Sequence, residues 1–300
     1  MIRYQEFFGL NAAPFSLTPD TRFFCALTPH VQALNVLMVA LSQHEGFIKI
    51  TGEVGSGKTL LCRMLLNRLH GHQPYAYIAN PALSPTAFKM QLASELGLKL
   101  EQDSEAQLNG KIERQLLALN QHGHPVVLVI DEAQALPLET LETLRLFSNL
   151  ETETGKLLHI VLFGQPELDK KLQQPSVRQL LQRIAFSYQL KRLHQHEVQH
   201  YLQHRLHIAG YQGKPVFGVL ASASLRFFSR GAPRLVNILA QKCLLLAYAG
   251  QRQQVRMRDT WKAALDTDSA RLRLIRLLRP LAMLFALGSA SAALAFWSLS

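Results

Sequence analysis

Cysteine is scarce in this sequence, with three residues in a chain of 300. Cys25, Cys62 and Cys243 lie far apart and show none of the paired spacings that bind zinc. So few thiols exclude a disulfide-stapled secreted protein, and we expect the three cysteines to be reduced and mostly buried in a cytosolic chain. The sequence also lacks a basic and then apolar signal peptide at its start, so we do not expect the main body to be exported.

Acidic side chains are rare in the last third of the chain. Residues 191–300 carry 16 Lys and Arg against 4 Asp and Glu, whereas residues 1–190 carry 16 against 17. The net charge of +11 therefore belongs to the C-terminal third. Such an excess is typical of a chain that faces either nucleic acid or the cytoplasmic surface of a membrane.

Charge is absent altogether from residues 280–300. About 20 apolar residues at helical rise cover roughly 30 Å, the thickness of the hydrocarbon core, so we predict a transmembrane helix over residues 280–299. The alternatives are an in-plane amphipathic anchor and a packed core helix. A basic juxtamembrane segment, residues 269–279, precedes the span and is expected to mark the cytoplasmic side. Its arginines are Arg271, Arg273, Arg276 and Arg279.

The sequence does contain a phosphate-binding loop. An apolar, strand-like run leads into the pattern G-x-x-x-x-G-K-T, and a helix-forming stretch follows. In such a loop the backbone N–H groups and the helix N-terminus face one spot, which fits a nucleoside triphosphate. Lys58 is predicted to reach the β- and γ-phosphates, and the Thr59 hydroxyl to hold Mg²⁺. The predicted nucleotide-binding residues of the loop are Gly52, Glu53, Val54, Gly55, Ser56, Gly57, Lys58, Thr59 and Leu60.

A second motif follows another apolar run. Residues 125–130 are typical of a buried parallel strand, and Asp131 and Glu132 come directly after it. Strand ends of this kind face the ligand crevice of an α/β sheet. We therefore predict that Asp131 contacts the Mg²⁺ shell and that Glu132 polarises the attacking water, which favours hydrolysis over mere binding. The alternative for Glu132 is a helix N-cap or a solvated acid.

Strand and helix patterns alternate over residues 45–190, which predicts an α/β nucleotide-binding core with a parallel sheet flanked by helices. The last of these patterns are a helix over residues 176–184 and a short strand near 186–190. Residues 1–44 form an N-terminal lead, rich in Pro and Phe, and a first helix. Beyond the core the patterns are helical only, and residues 191–268 are predicted to form a small all-helical lid.

Together these motifs resemble those of AAA+ ATPases. More narrowly, they resemble the membrane-anchored secretion ATPases of the general secretion pathway A group, and within it the branch that serves MSHA pilus biogenesis. Besides the loop and the Asp-Glu strand, the resemblance rests on Gly164–Leu168 after the fourth strand, Arg183 before the fifth, and Gly231–Arg234 in the lid. It also includes the opening segment Tyr4–Leu10, so it covers nearly the whole chain.

The resemblance implies roles for three further residues. Gln165 takes the sensor-1 position near the attacking water, although that position is more often Asn or Thr. Arg183 takes the place of the arginine finger that reaches a neighbouring subunit's γ-phosphate, with Arg178 as the alternative. Arg234 matches sensor 2, which contacts the nucleotide and reports its state to the lid. The other interpretation of these residues is an ordinary turn or surface position.

The resemblance also implies a function. We expect an ATPase that uses ATP and Mg²⁺ at the inner membrane of a bacterium and promotes assembly of a type IV pilus or a related secretion machine. Its expected partners are further copies of the chain, the membrane, and pilus or secretion assembly proteins, but not nucleic acid. Two other hypotheses remain. One is a nucleic-acid-directed AAA+ ATPase of the transposition or initiator type, whose basic excess binds phosphates. The other is a nucleotide-dependent scaffold that barely turns over.

Overall fold

The computed structural model describes residues 3–43, 46–99, 104–122, 124–152 and 155–272. The chain divides into two compact units, one of Thr18–Arg192 and one of Met1–Leu17 with Leu193–Ser300. The N-terminal lead and first helix, predicted as one segment over residues 1–44, are therefore divided between the two units at Leu17 and Thr18. No helix among the described residues is both long and apolar enough to cross a bilayer. The predicted span, residues 280–299, lies outside the described residues.

The helices and strands follow the chain in this order. The helices are α1 Arg3–Phe8, α2 Thr28–Ser42, α3 Lys58–Leu69, α4 Pro85–Glu95, α5 Glu105–Leu119, α6 Leu138–Phe147, α7 Glu167–Leu172, α8 Arg178–Leu181, α9 Gln195–Ile208, α10 Val219–Ser229, α11 Pro233–Ala249 and α12 Met257–Leu265. The strands are β1 Phe47–Gly52, β2 Tyr75–Ile78, β3 Val126–Ile130, β4 Glu151–Thr152, β5 Gly155–Lys156, β6 Leu158–Gly164 and β7 Ile184–Leu190.

The unit Thr18–Arg192 is built on a five-stranded sheet in the order β2-β3-β6-β1-β7. Every neighbouring pair in this sheet is parallel, and helices lie between successive strands along the chain. The predicted α/β fold with a parallel sheet flanked by helices is therefore confirmed. Since all five strands run the same way, their C-terminal ends share one edge of the sheet, where ligands bind in folds of this kind.

The three central strands β1, β3 and β6 are buried along their whole length because both faces of the sheet are covered. Successive side chains of β3 point to opposite faces. Val126, Leu128 and Ile130 join an apolar cluster with residues of α4, α5 and α6, whereas Val127 and Val129 join one with residues of α2 and α3. This double burial fixes the register of β3 and so the place of the two acids that follow it.

Two local elements differ from the sequence patterns. The helix expected over residues 176–184 is reduced to the four residues of α8, and Arg183 lies between α8 and β7. The antiparallel pair β4 and β5 was not predicted, because strands of two residues are too short to show an alternating pattern.

The other unit consists of α1 and α9 to α12, together with an isolated bridge between Phe217 and Val255. The opening segment of the chain packs within this unit. The Asn11 N–H donates a hydrogen bond to the Ala209 carbonyl oxygen at 2.7 Å, and Arg205 Nε donates one to the Pro14 carbonyl oxygen at 2.5 Å. These two hydrogen bonds attach the lead to Arg205, in the last turn of α9, and to Ala209, directly after that helix.

Candidate nucleotide-binding site

A tight loop joins β1 to α3. Two of its glycines have positive φ angles, 74° at Gly55 and 100° at Gly57, which residues with a side chain rarely adopt. Lys58 begins α3, and its ammonium group turns back on the loop. Lys58 Nζ donates hydrogen bonds to the carbonyl oxygens of Gly52 at 2.7 Å and Glu53 at 3.2 Å. The side chain is thus held at the loop by bonds that a phosphate can replace.

Two glycines of the loop leave no room for a side chain. A Cβ on Gly52 would lie 2.7 Å from Ser56 Oγ. A Cβ on Gly57 would lie 2.7 Å from His30 Nε2. The same nitrogen is 3.0 Å from the Ser56 carbonyl oxygen, and since a carbonyl oxygen only accepts, Nε2 donates this bond. His30 is buried on α2 and supports the loop, a role that no pattern in the sequence indicated.

The other predicted loop residues differ in exposure. Ser56 is buried and Leu60 is half-buried, whereas Val54 is 62% exposed. Glu53 is also exposed, and its carboxylate lies 3.8 Å from the Arg192 guanidinium. The segment of Glu53 and Val54 is therefore the open side of the loop.

Asp131 follows β3 and lies beside the start of α3. Its buried carboxylate accepts a hydrogen bond from the Glu132 backbone N–H at 2.9 Å and lies near the Thr59 hydroxyl. Burial raises the pKa of Asp131, although the Glu132 N–H and the Thr59 hydroxyl oppose the rise. Burial likewise lowers the pKa of Lys58, against the attraction of Glu132 and Asp131. Both shifts have one cause, because burial removes the water that would stabilise the charged form of either group.

Thr59 and Asp131 fit a magnesium ion. Mg²⁺ prefers hard oxygen ligands, and it is usually bound by one or two protein oxygens together with phosphate oxygens and water. Here the Thr59 hydroxyl, at the N-terminus of α3, lies near the Asp131 carboxylate, at the end of β3. These are the two residues that the sequence predicts as metal ligands.

Glu132 and Gln165 come together at the ends of β3 and β6. Glu132 has a φ of 51°, and its Oε2 accepts a hydrogen bond from Gln165 Nε2 at 3.1 Å. Gln134, which the sequence analysis did not single out, also donates to this oxygen, from Nε2 at 2.5 Å. The Gln165 backbone N–H in turn donates to Gln134 Oε1 at 2.9 Å. The acid predicted to polarise water and the predicted sensor are thus in direct contact.

Arg183 lies far from the phosphate loop of its own chain. It immediately precedes β7, whose first residue pairs with Phe47 at the start of β1, whereas the loop follows the end of β1 at Gly52. At about 3.3 Å per residue the two ends of β1 are roughly 17 Å apart. The exposed Arg183 side chain donates from Nη1 to Ser148 Oγ at 2.9 Å. Arg178, the alternative finger, is exposed on α8.

Arg234 belongs to the other unit. It is exposed and is the second residue of α11, which begins at Pro233. Gly231, just before this helix, has a φ of 74°, and a Cβ there would lie 2.2 Å from the Leu193 carbonyl oxygen. The glycine of the Gly231–Arg234 motif is therefore required by close backbone packing within its unit. The sensor-2 role of Arg234 stays a prediction.

Comparison with known proteins supports a nucleotide-binding fold for this part of the chain. Residues 41–172 match the family model described as AAA domain. With the parallel sheet, the loop after β1 and the acids after β3, this defines an α/β P-loop fold of the AAA+ class. The chain is similar to General secretion pathway protein A of Aeromonas hydrophila, with 38% identity over 269 residues. The match covers 89% of this chain and 49% of that protein, so this chain spans about half the length of the curated relative.

Solved structures share the fold. Cdc6p from Pyrobaculum aerophilum superposes with a TM-score of 0.62 at 17% identity, over 82% of this chain and 70% of that one. The Aeropyrum pernix ORC1 protein, solved in complex with DNA, gives a TM-score of 0.58 at 17% identity, over 84% of this chain and 69% of that one. At such identities the likeness shows the fold alone.

Proposed function

We propose that this protein is a membrane-anchored, ATP-hydrolysing assembly factor of a bacterial type IV pilus or a related secretion machine. One observation carries the hydrolytic part: the Glu132 carboxylate accepts a hydrogen bond from Gln165, and Glu132 directly follows Asp131, which lies near Thr59. The name of the relative, General secretion pathway protein A, supports the secretion setting. The pilus assignment rests on the resemblance of the sequence motifs.

The loop binds the triphosphate and the strand ends act on it. Backbone N–H groups of the loop and the N-terminus of α3 attract phosphate oxygens. Lys58 exchanges its two carbonyl partners for the β- and γ-phosphates. Thr59 and Asp131 would hold Mg²⁺, which when bound would supply positive charge that offsets the charge of the phosphate oxygens. Glu132 accepts a hydrogen bond from the attacking water and polarises it towards the γ-phosphate.

Turnover by this arrangement requires a second copy of the chain. Arg183 and the phosphate loop lie at opposite ends of β1, so Arg183 serves as a finger on a neighbouring subunit and the protein is a homo-oligomer. Arg234, on the helical unit, reports the state of the nucleotide to that unit. Movement of the helical unit and of neighbouring subunits then acts on the envelope machine.

The membrane anchor is inferred from sequence. Residues 280–299 form a single span in the inner membrane, and the basic segment before it keeps the nucleotide-binding unit in the cytoplasm. An anchor at this place holds the ATPase beside an envelope machine whose parts are inserted in the same membrane.

ATP turnover by two variants tests the proposal. Lys58→Ala removes a phosphate contact, so we expect it to lose affinity for ATP. Glu132→Gln keeps the shape of the site and removes the carboxylate that polarises water, so we expect ATP to bind while hydrolysis falls by about 10²-fold or more. The measurements are ATP affinity and phosphate release on the full-length protein. Lys170→Ala and Glu139→Gln, on exposed residues of α7 and α6, are the matched controls. Parent-rate hydrolysis by Glu132→Gln would overturn the mechanism.

A second candidate is a nucleic-acid-directed AAA+ ATPase of the initiator type. The excess of 16 basic over 4 acidic residues in 191–300 favours it. Four of these charges, however, are the arginines that flank the predicted span, and they are explained by an anionic membrane surface. DNA binding whose affinity falls steeply with salt, together with DNA-stimulated turnover, would favour this candidate instead.

A further inference from the structure

Gln134 makes three polar connections at the centre of the site. Its side-chain Nε2 donates to Glu132 Oε2 at 2.5 Å, and its Oε1 accepts from the Gln165 backbone N–H at 2.9 Å. Its own carbonyl oxygen accepts from Lys171 Nζ at 2.6 Å. Gln134 therefore joins the turn after β3 to the segment after β6 through both its side chain and its backbone.

Lys171 attaches the turn to α7 through two hydrogen bonds. Lys171 lies on α7, half-buried, and its ammonium group also donates to the Leu136 carbonyl oxygen at 2.7 Å. One lysine thus satisfies two carbonyl oxygens, one in the 3-10 turn Ala133–Ala135 and one in the residue directly after that turn. Gln165 is followed closely in the chain by α7, so the segment after β6 contacts this turn at two points, through Gln165 and through Lys171.

The hydrogen bonds of Glu132 leave one carboxylate oxygen for water. The amide groups of Gln134 and Gln165 both donate to Oε2. Within the part of the chain that the structure describes, no hydrogen bond reaches Oε1. Two donors on one oxygen fix the rotation of the carboxylate, and the second oxygen keeps its capacity to accept a hydrogen bond from water.

We propose that Gln134 is a positioning residue that locks the Glu132 carboxylate to Gln165, so that the water-polarising acid and the γ-phosphate sensor act as one rigid group. This inference rests on the proposed ATP hydrolysis and goes beyond it, because it assigns a function to a residue outside the predicted site. Gln134 acts through Glu132 and Gln165, and among the described residues it makes no hydrogen bond to the phosphate loop. Its loss therefore affects the chemical step and leaves ATP binding unchanged.

Gln134→Ala tests the inference. Displacement of a reacting group by about 1 Å can cost on the order of 10²-fold in rate, so we expect kcat to fall by about 10- to 100-fold. We expect KM and the affinity for a non-hydrolysable ATP analogue to stay at the parent values. The matched control is Gln173→Ala, on an exposed glutamine at the end of α7, which should leave both parameters unchanged.

A second background separates positioning from general support of the fold. In Glu132→Gln protein the carboxylate is already gone, so adding Gln134→Ala should lower the residual turnover no further. If adding Gln134→Ala to the Glu132→Gln protein lowered its ATP affinity or its thermal stability, the role of Gln134 would be merely structural. That result would overturn the inference.

The isosteric variant Gln134→Glu protects the test against misfolding. It keeps an acceptor for the Gln165 N–H and replaces the donor that faces Glu132 with a second carboxylate, so we expect a loss of kcat in a folded protein. Parent-like kcat in Gln134→Ala, or in Gln134→Glu if the alanine variant does not fold, would overturn the inference alone. A parent protein that does not hydrolyse ATP would overturn the proposed function and this inference with it.

Discussion

His30 sets the shape of the phosphate loop from a position well before it in sequence. Its Nε2 donates to the Ser56 carbonyl oxygen and occupies the space beside Gly57. A net hydrogen bond contributes about 0.5–1.5 kcal/mol, so we expect His30→Ala to weaken ATP affinity by roughly 2- to 12-fold. The rate of hydrolysis of bound ATP should not change, because His30 supports the loop backbone whereas Glu132 and Gln165 are proposed to act on the attacking water. Equilibrium titration with an ATP analogue and single-turnover kinetics measure the two effects.

The control for this prediction is His72→Ala, which removes an exposed histidine from the turn after α3. Unaltered ATP affinity in His30→Ala would mean that the glycine backbone alone holds the loop. A fall in the single-turnover rate would place His30 in the chemistry of the site instead.

The residues of the site differ in how far the sequence could predict them. Lys58, Thr59 and Asp131 belong to contiguous patterns whose backbone geometry fixes their roles, and the structure places all three together. His30, Gln134 and Lys171 act through partners 26, 31 and 37 residues away. Such contacts depend on which strands become neighbours, and no local pattern carries that information.

For the strands, too, local sequence patterns predict some features and not others. Continuous apolar runs predict β1, β3 and β6 because these strands are buried on both faces, and the parallel sheet follows from their alternation with helices. β7 is an edge strand with alternating exposure, so it has no continuous apolar run to mark its start. The sequence therefore predicts a start near residue 186 instead of Ile184, and a helix over residues 176–184 that is longer than α8. The order β2-β3-β6-β1-β7 could not be derived from periodicity, which does not specify crossovers.

The edge position of β7 determines how Arg183 can act. Because Arg183 lies beside the start of β1, far from the loop of its own chain, the proposed function has it act on a γ-phosphate bound by another copy of the chain. Arginine fingers contribute about 10³–10⁵ in rate, so we expect Arg183→Ala to bind ATP and to lose most of its turnover. Mixing it with Glu132→Gln protein should restore partial turnover, because some interfaces in the mixed oligomer keep both groups. The measurement is phosphate release across mixing ratios.

Arg68→Ala, on an exposed arginine of α3, is the control and should hydrolyse ATP at the parent rate without mixing. Absence of rescue at every ratio, in samples where mixed oligomers are demonstrated, would assign Arg183 to its bond with Ser148 as a structural residue. Rescue by Arg178→Ala in place of Arg183→Ala would transfer the finger to α8.

For the whole molecule, the distribution of charge predicts on which side of the membrane each part lies. The basic excess of residues 191–300 ends in the arginines before an uncharged segment, and arginines are retained on the cytoplasmic side of a span. The nucleotide-binding unit and the helices α9 to α12 precede these arginines in the chain, so both are expected to face the cytoplasm. ATP is available on that side of the inner membrane, which is consistent with the proposed hydrolysis.

Fusions of paired reporters test this topology. We expect a periplasm-active reporter after Ser300 to be active and a cytoplasm-active reporter at the same place to be silent, with the reverse pattern for fusions after Asp268. Serine in place of the arginines should abolish the fixed orientation and give activity in both reporters, because it removes the charge bias. This variant changes Arg271, Arg273, Arg276 and Arg279. The contrary result is activity at Ser300 in the cytoplasmic reporter alone, with the protein still in the membrane fraction. Because only a segment that crosses the membrane places Ser300 in the periplasm, this result would replace the span with an in-plane anchor.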